Sequence, residues 1–186
     1  MNLGQTMLMV MFLALTMIMI VNALGNLNDA DIQVLTAEAY KTAADLGQSL
    51  MAEIVSKKYD EVFDPTLIQG PAQGYPGKYT GYPLGPGSTE VFTLPDVSPF
   101  QSIQRYSDVD DYNGYSRITE STNGLGTFRD SVIVYYVTMT NPPQKSASQT
   151  WTKRIEVWVT QGNFLKKGNN NIWVKTSSLV NPFKKG

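Results

Sequence analysis

The stretch MNLGQTMLMVMFLALTMIMIVNALGNLNDADIQ, residues 1–33, decides how the rest of the chain is read. Residues 3–24 are apolar apart from Gly4, Gln5, Thr6, Thr16 and Asn22. As a helix, these 22 residues run about 33 Å, enough to cross a hydrocarbon core of about 30 Å. A helix that is apolar on every face needs lipid or complete burial, and a core helix of this length normally shows a polar stripe. None is present here. No Lys or Arg occurs before Lys41. A secretory signal peptide opens with a basic segment, and an ordinary membrane anchor has basic residues at its cytoplasmic end. This stretch has neither.

Just downstream, Asn22, Gly25, Asn26 and Asn28 are poor helix formers, so a kink or a short melted segment is expected over residues 22–27. Asn28 or Asp29 then suits an N-cap, and Asp29 and Asp31 suit the positive end of a helix dipole. The helix resumes with Ile32, Leu35, Ala39, Ala43, Leu46, Leu50 and Ile54 forming one apolar stripe in steps of three or four. It should end between residues 59 and 63, because Asp64-Pro65 disfavours further helical backbone. No proline precedes Pro65. The expectation is a rod of roughly 60 residues, on the order of 85 Å, hinged at most once.

Residues 64–89 are dense in Gly, Pro and Tyr and low in charge. A loop of this length that carries Tyr75, Tyr79 and Tyr82 reads as a surface segment that packs on something. Its Gly77-Lys78 is not a phosphate-binding loop, since Ala72 stands where a Gly is needed and Tyr79 follows the Lys. From residue 90 the period changes from helical to alternating. Residues 90–94, 116–122, 127–139, 150–161 and 171–178 read as strands, and Asn123-Gly124-Leu125-Gly126 reads as a hairpin connection. Val132, Val134 and Tyr136 face one side of an inner strand, with Ile133, Tyr135 and Val137 on the other. Ile155, Val157 and Val159 oppose Arg154, Glu156 and Trp158 in the same way. The fold class is α+β: a long N-terminal helix, apolar in its first half and amphipathic in its second, packed on a roughly four-stranded antiparallel sheet. The boundaries are 1–27, 28–63, 64–89 and 90–186.

Composition narrows the chemistry. The chain has no Cys and no His, which excludes disulfides, thiol chemistry and imidazole-based mechanisms. A net charge of −1 gives no basic field to recruit nucleic acid. The carboxylate pairs Asp110/Asp111 and Glu53/Asp60 lack a partner that would make them an acid–base site, so no enzyme and no cofactor is expected. Asp108, Asp110, Asp111 and Asn113 form a weak calcium candidate. They miss the EF-hand register, and a plain Asx-rich turn is the stronger reading.

With these elements in place, the chain resembles the type IV pilins. The resemblance is carried by the helix over residues 1–60 and, beyond it, only by a pattern of strands. It implies that a leader peptidase has removed a short basic leader, making Met1 the first mature residue and accounting for the missing positive charge. It implies an inner-membrane precursor, pilus assembly machinery and, as the main partner, copies of the same chain in a bacterial cell-surface filament. Assembly residues carried over are Met1, Gln5 and Thr6. The family's usual Glu at the fifth position is Gln5 here, which can hydrogen-bond a neighbour's terminal amine but cannot neutralise it. The family's frequent helix-breaking Pro is replaced by Asn22, Gly25 and Asn26, and its cysteine-closed loop is absent. A pseudopilin of a type II secretion system and a singly anchored extracytoplasmic binding domain remain the alternatives.

Overall fold

The computed structural model of the chain describes residues 3–60, 84–121 and 124–182. Its residues divide into two compact units, Met1–Glu38 and Ala39–Gly186. Helix α1, Leu3–Ser56, begins in the first and ends in the second.

Within the first unit every described residue is helical. The expected melted segment at residues 22–27 is absent, and Asn28 and Asp29 are interior helical positions rather than caps. The physical reason is cooperativity. The helix propensities of Asn22, Gly25 and Asn26 cost up to about 1 kcal/mol each, but a break orphans several backbone donors and acceptors and requires a second costly nucleation. Without a proline to remove a donor, the ladder continues.

In the second unit, α1 buries Ala39, Ala43, Gly47, Leu50, Met51 and Ile54. The expected stripe is thus observed from Ala39 onward, with Leu46 partly buried against the core. Ile32 and Leu35, its first two members, stay 48% and 37% exposed. Gly47 was not read as part of the stripe. A Cβ there would lie 3.1 Å from Thr176 Oγ1 and 3.4 Å from Val159 Cγ2, so the glycine sets how closely α1 approaches the sheet.

The helix stops at Ser56, earlier than the Asp64-Pro65 signal suggests. Lys57 N–H bonds to Ile54 O at 3.1 Å, tightening the last turn, and the Lys57 ammonium donates to the carbonyls of Ile103 and Tyr106, each at 2.8 Å. Lys58 then forms an isolated parallel bridge with Asp108. Tertiary capture ends the helix before the local stop signal is reached.

The sheet contains β1 (Asp96–Val97), β2 (Ser116–Glu120), β3 (Thr127–Thr138), β4 (Gln144–Lys145), β5 (Lys153–Gln161) and β8 (Trp173–Val180). Between the last two, β6 (Lys166–Lys167) and β7 (Asn170–Asn171) form a small hairpin of their own where a plain loop was expected. The main order is β1-β2-β3-β5-β8, with β4 on β3. The four longer strands form the antiparallel meander that was expected, in registers such as Val132↔Val157 and Val159↔Val174. The sheet as a whole is mixed, because β1 pairs with β2 in parallel. Residues 90–94 are not a strand; the strand lies two residues later, at Asp96–Val97. The β2–β3 connection is a hairpin, with Ser121 N–H on Gly126 O at 3.0 Å and positive φ at Gly124 and Gly126. Those two angles are why glycine occupies the turn. Phe128, Val132, Val134, Ile155, Val157 and Val159 bury one sheet face in the same core as the helix residues. The opposite face of β3 is more open at Ile133, 46% exposed, but Val137, expected on that face, is fully buried while Tyr136 is only half-buried, so the alternation lapses at the end of the strand. Before β2 come a short helix α2 (Ser102–Arg105) and a 3-10 turn at Asp110–Tyr112. Tyr75, Tyr79 and Tyr82 lie outside the described residues.

Candidate functional site

Three arrangements stand out, one in the first unit and two in the second. In the first unit, α1 presents Leu3, Met7, Met9, Met11, Phe12, Met17, Ile18, Met19 and Leu24 exposed, on all its faces. By length and composition this helix can cross a membrane. Its hydroxyls turn inward on their own backbone: Thr6 Oγ1 donates to Leu3 O at 2.9 Å, and Thr16 Oγ1 lies 3.0 and 2.9 Å from Phe12 O and Leu13 O. Such back-bonding satisfies the donor without water or a neighbour. Among the described residues, the side-chain amides of Gln5 and Asn22 have no such partner. Of the three assembly residues implied by the resemblance, then, Gln5 is exposed with its hydrogen-bonding capacity open and Thr6 has its donor occupied. Met1 lies outside the described residues.

The second arrangement centres on Glu53. Its Oε1 accepts from Tyr112 Oη at 2.7 Å and from Ser102 Oγ at 2.8 Å, while Oε2 accepts from Arg117 Nη1 at 3.0 Å. Arg117 Nε donates to Asp130 at 2.9 Å, and the Arg117 guanidinium lies 4.5 Å from the centroid of the Phe100 ring. Ser102 N–H and Tyr115 Oη both donate to Asp96 Oδ2, at 3.1 and 3.0 Å. Tyr106, Tyr112 and Tyr115 stack edge-to-face around this network, with centroids 4.7 to 5.6 Å apart. Burial first, and then the Glu53 carboxylate, hold the Tyr112 hydroxyl far above the ordinary phenol range. Burial raises Asp130 despite the Arg117 hydrogen bond. A charge network this dry fixes α1, α2 and the β2–β3 pair in one geometry.

The third gathers Lys153, Asp110, Asp108, Asp111, Tyr59 and Asp60. Lys153 is fully buried at the start of β5. Its Nζ lies 2.5 Å from Asp110 Oδ1, 2.8 Å from the Tyr59 carbonyl and 3.6 Å from Asp60 Oδ2. The Tyr59 and Tyr136 rings flank it, with centroids at 4.3 and 5.9 Å. Asp110 is pushed up to about 7 by burial first, with the Lys153 charge pulling it down and the Asp108 carboxylate adding to the rise.

The calcium candidates are placed as turn-formers. Asp108 Oδ1 accepts the N–H groups of Asp110 and Asp111, and Asp111 Oδ2 accepts those of Ser107 and Asp108. Asn113 bridges Val134 N–H and Leu84 O. The bonds of Asp108 and Asp111 are the local bonds of an Asx-rich turn, whereas those of Asn113 reach across the fold. Glu53 and Asp60 are not brought together: the first serves Arg117, Tyr112 and Ser102, the second Lys153.

Lys153 was not singled out from the sequence, although a signal existed. It shares strand parity with Ile155, Val157 and Val159 and therefore faces the core; Asp130 shares parity with Phe128, Val132 and Val134. A charged residue on the apolar parity of a strand demands a buried partner. When the chain is compared with known proteins, no protein-family model, no curated protein and no solved structure matches it.

Proposed function

We propose that the chain is a structural subunit of an extracellular, type IV pilus-like filament that polymerises through its apolar N-terminal helix. The observation that carries this reading is the extent of exposed apolar surface in the first unit. It does not stop at Leu24 but continues through Leu27, Ile32, Val34 and Leu35. From Leu3 to Leu35 a helix runs about 50 Å, whereas a bilayer covers about 30 Å of it. A singly anchored domain would leave the surplus in water. Parallel helices of neighbouring copies, staggered along a filament, cover all of it. Lipid tails are as apolar as Leu, so transfer from the membrane into a helix bundle gains chiefly from packing and polar contacts. Five exposed methionines, Met7, Met9, Met11, Met17 and Met19, suit irregular gaps between helices. The precursor waits with this helix in the membrane and joins the filament on the outer side.

Because the chain has no Cys, the reading is tested by introducing one. Met9→Cys and Leu24→Cys chains, collected as sheared surface material and mildly oxidised, give disulfide-linked dimers when helices of neighbouring copies touch. Fibres containing this chain seen by negative-stain microscopy, together with such dimers, support the proposal. Monomers confined to the membrane fraction at both positions overturn it.

A further inference from the structure

We propose that Lys153 and Asp110 condense into an intramolecular amide bond, a covalent staple between the start of β5 and the 3-10 turn at Asp110–Tyr112. This goes beyond the filament reading and does not rest on it.

The geometry is that of a reaction held at its starting point. Lys153 Nζ and Asp110 Oδ1 are 2.5 Å apart, and the lysine side chain is wholly shielded from solvent. Nζ is fixed from a second side by the Tyr59 carbonyl at 2.8 Å, so the amine cannot rotate away. The rings of Tyr59 and Tyr136 flank Nζ, with centroids at 4.3 and 5.9 Å, and the Asp110 side chain is only 11% exposed. The reaction starts with transfer of a proton from Lys153 to Asp110 along their hydrogen bond, which leaves an amine facing a carboxylic acid. Burial raises Asp110 to about 7 against the pull of the Lys153 charge, which brings its protonated form within reach of neutral pH. These two neutral forms are the nucleophile and electrophile of amide formation. Holding them in contact supplies an effective concentration on the order of 10⁵ M or more, and the full burial of Lys153 disfavours the reverse hydrolysis.

The step balances without an oxidant or co-reactant. Nζ adds to the Asp110 carboxyl carbon, forming the N–C bond, and the proton it sheds goes to Asp60, whose Oδ2 is 3.6 Å from Nζ. Asp60 returns that proton to the departing hydroxyl. The C–O bond breaks and one water leaves. In a chain without cysteine, the product would do the work of a disulfide, closing the covalent loop between residues 110 and 153.

Mass spectrometry tests this directly on the full chain, folded in detergent, held until its mass stops changing and then denatured. The expected result is a chain lighter by one water than its own Lys153→Met and Asp110→Ala variants after correction for the substitution. A proteolytic map should also join the peptides containing residues 110 and 153. If either variant fails to fold, the peptide map of the unaltered chain decides alone. A folded chain whose residue-110 and residue-153 peptides are separate and of full mass overturns the proposal. Asp60→Asn keeps the pair but removes the proton carrier, and should slow the mass change on the order of a hundredfold; an unchanged rate overturns the assignment of Asp60. None of these readouts requires a filament, so the two proposals fail separately.

Discussion

Helix α1 contributes to two units whose polar groups differ in reach, although Ser56 in the second also bonds back to the carbonyl of Glu53. In the first, hydroxyls bond back to carbonyls three or four residues away, as Thr6 and Thr16 do, and apolar side chains stay exposed. In the second, polar groups on or just after the helix reach across the sequence: Glu53 to Arg117, Lys57 to Tyr106, and Tyr59 through its carbonyl to Lys153. The contrast teaches that the second unit makes its long-range contacts within one chain, whereas the apolar side chains of the first stay exposed, as the proposed assembly requires. Substitutions in the two should therefore fail differently, in folding for one and in assembly for the other.

The largest effect is expected at Arg117. Arg117→Ala would strip Asp130, fully buried and with Oδ1 already without a partner among the described residues, of its hydrogen bond from Arg117, and would remove a cation from Glu53. Breaking a buried pair from one side costs about 4 kcal/mol. Urea unfolding of the detergent-solubilised chain measures it, and a loss under about 1 kcal/mol would mean that the network is dispensable. Gly47→Val comes next. The new Cβ meets Thr176 at 3.1 Å and Val159 at 3.4 Å, so either the helix or β8 must move, at about 2 kcal/mol. The matching change in the first unit, Gly25→Val, has open space around it and should leave unfolding unchanged. Equal losses at both glycines would erase the contrast.

Gln5→Leu probes the other side. It removes an open amide without adding charge, so membrane insertion and unfolding should match the unaltered chain. One net hydrogen bond between copies is worth about 1 kcal/mol, so filament yield should fall roughly fivefold. Normal yield would take Gln5 out of the assembly argument, and poor insertion would reassign it to the membrane step.

How much of this was legible in the sequence depends on whether the signal was local. The apolar run, the alternation in β3 and β5 and the glycine turn before Thr127 were each written in a few adjacent residues, and the structure has them. The helix end was misread because Asp64-Pro65 is a local stop, while the actual stop at Ser56 is made by carbonyls of Ile103 and Tyr106 nearly fifty residues away. The break at residues 22–27 was misread because propensity was weighed residue by residue, while helix propagation is cooperative. The strand expected at residues 90–94 was displaced because Asp96 is held by Ser102 and Tyr115, partners that no short window contains. The buried charges fall between these cases. Strand parity identifies Lys153 and Asp130 as core-facing, but only the fold says that their partners are Asp110 and Arg117.

The smallest effect is the one that couples most closely to those buried charges: the pH dependence of the second unit. Asp110 and Asp111 are each pushed up from 3.8 to about 7, by burial first. A carboxyl that holds its proton more tightly when folded favours the folded state fully below about pH 4, and that advantage drains away as pH climbs to about 7. Glu156 works in the opposite sense. Its hydrogen bonds from Lys175 and Tyr135 outweigh burial and lower it below 4.5, so its contribution is lost only in more acid solution. Between about pH 5 and pH 7 the two aspartates set the slope, and the melting temperature should fall as pH rises. Asp111→Asn keeps a carbonyl oxygen for the Ser107 and Asp108 N–H groups but no longer titrates. If Asp110 is already tied to Lys153 as an amide, it has no proton to exchange, and Asp111→Asn should leave only the slope that buried Asp130, itself raised, supplies. If the pair remains ionic, Asp110 adds its own slope to that of Asp130, and replacing Asp110 as well by Asn should flatten the profile further. A melting profile across that window, taken on the same preparation whose mass has been measured, therefore reads the state of the 110–153 pair a second time, through a property unrelated to mass.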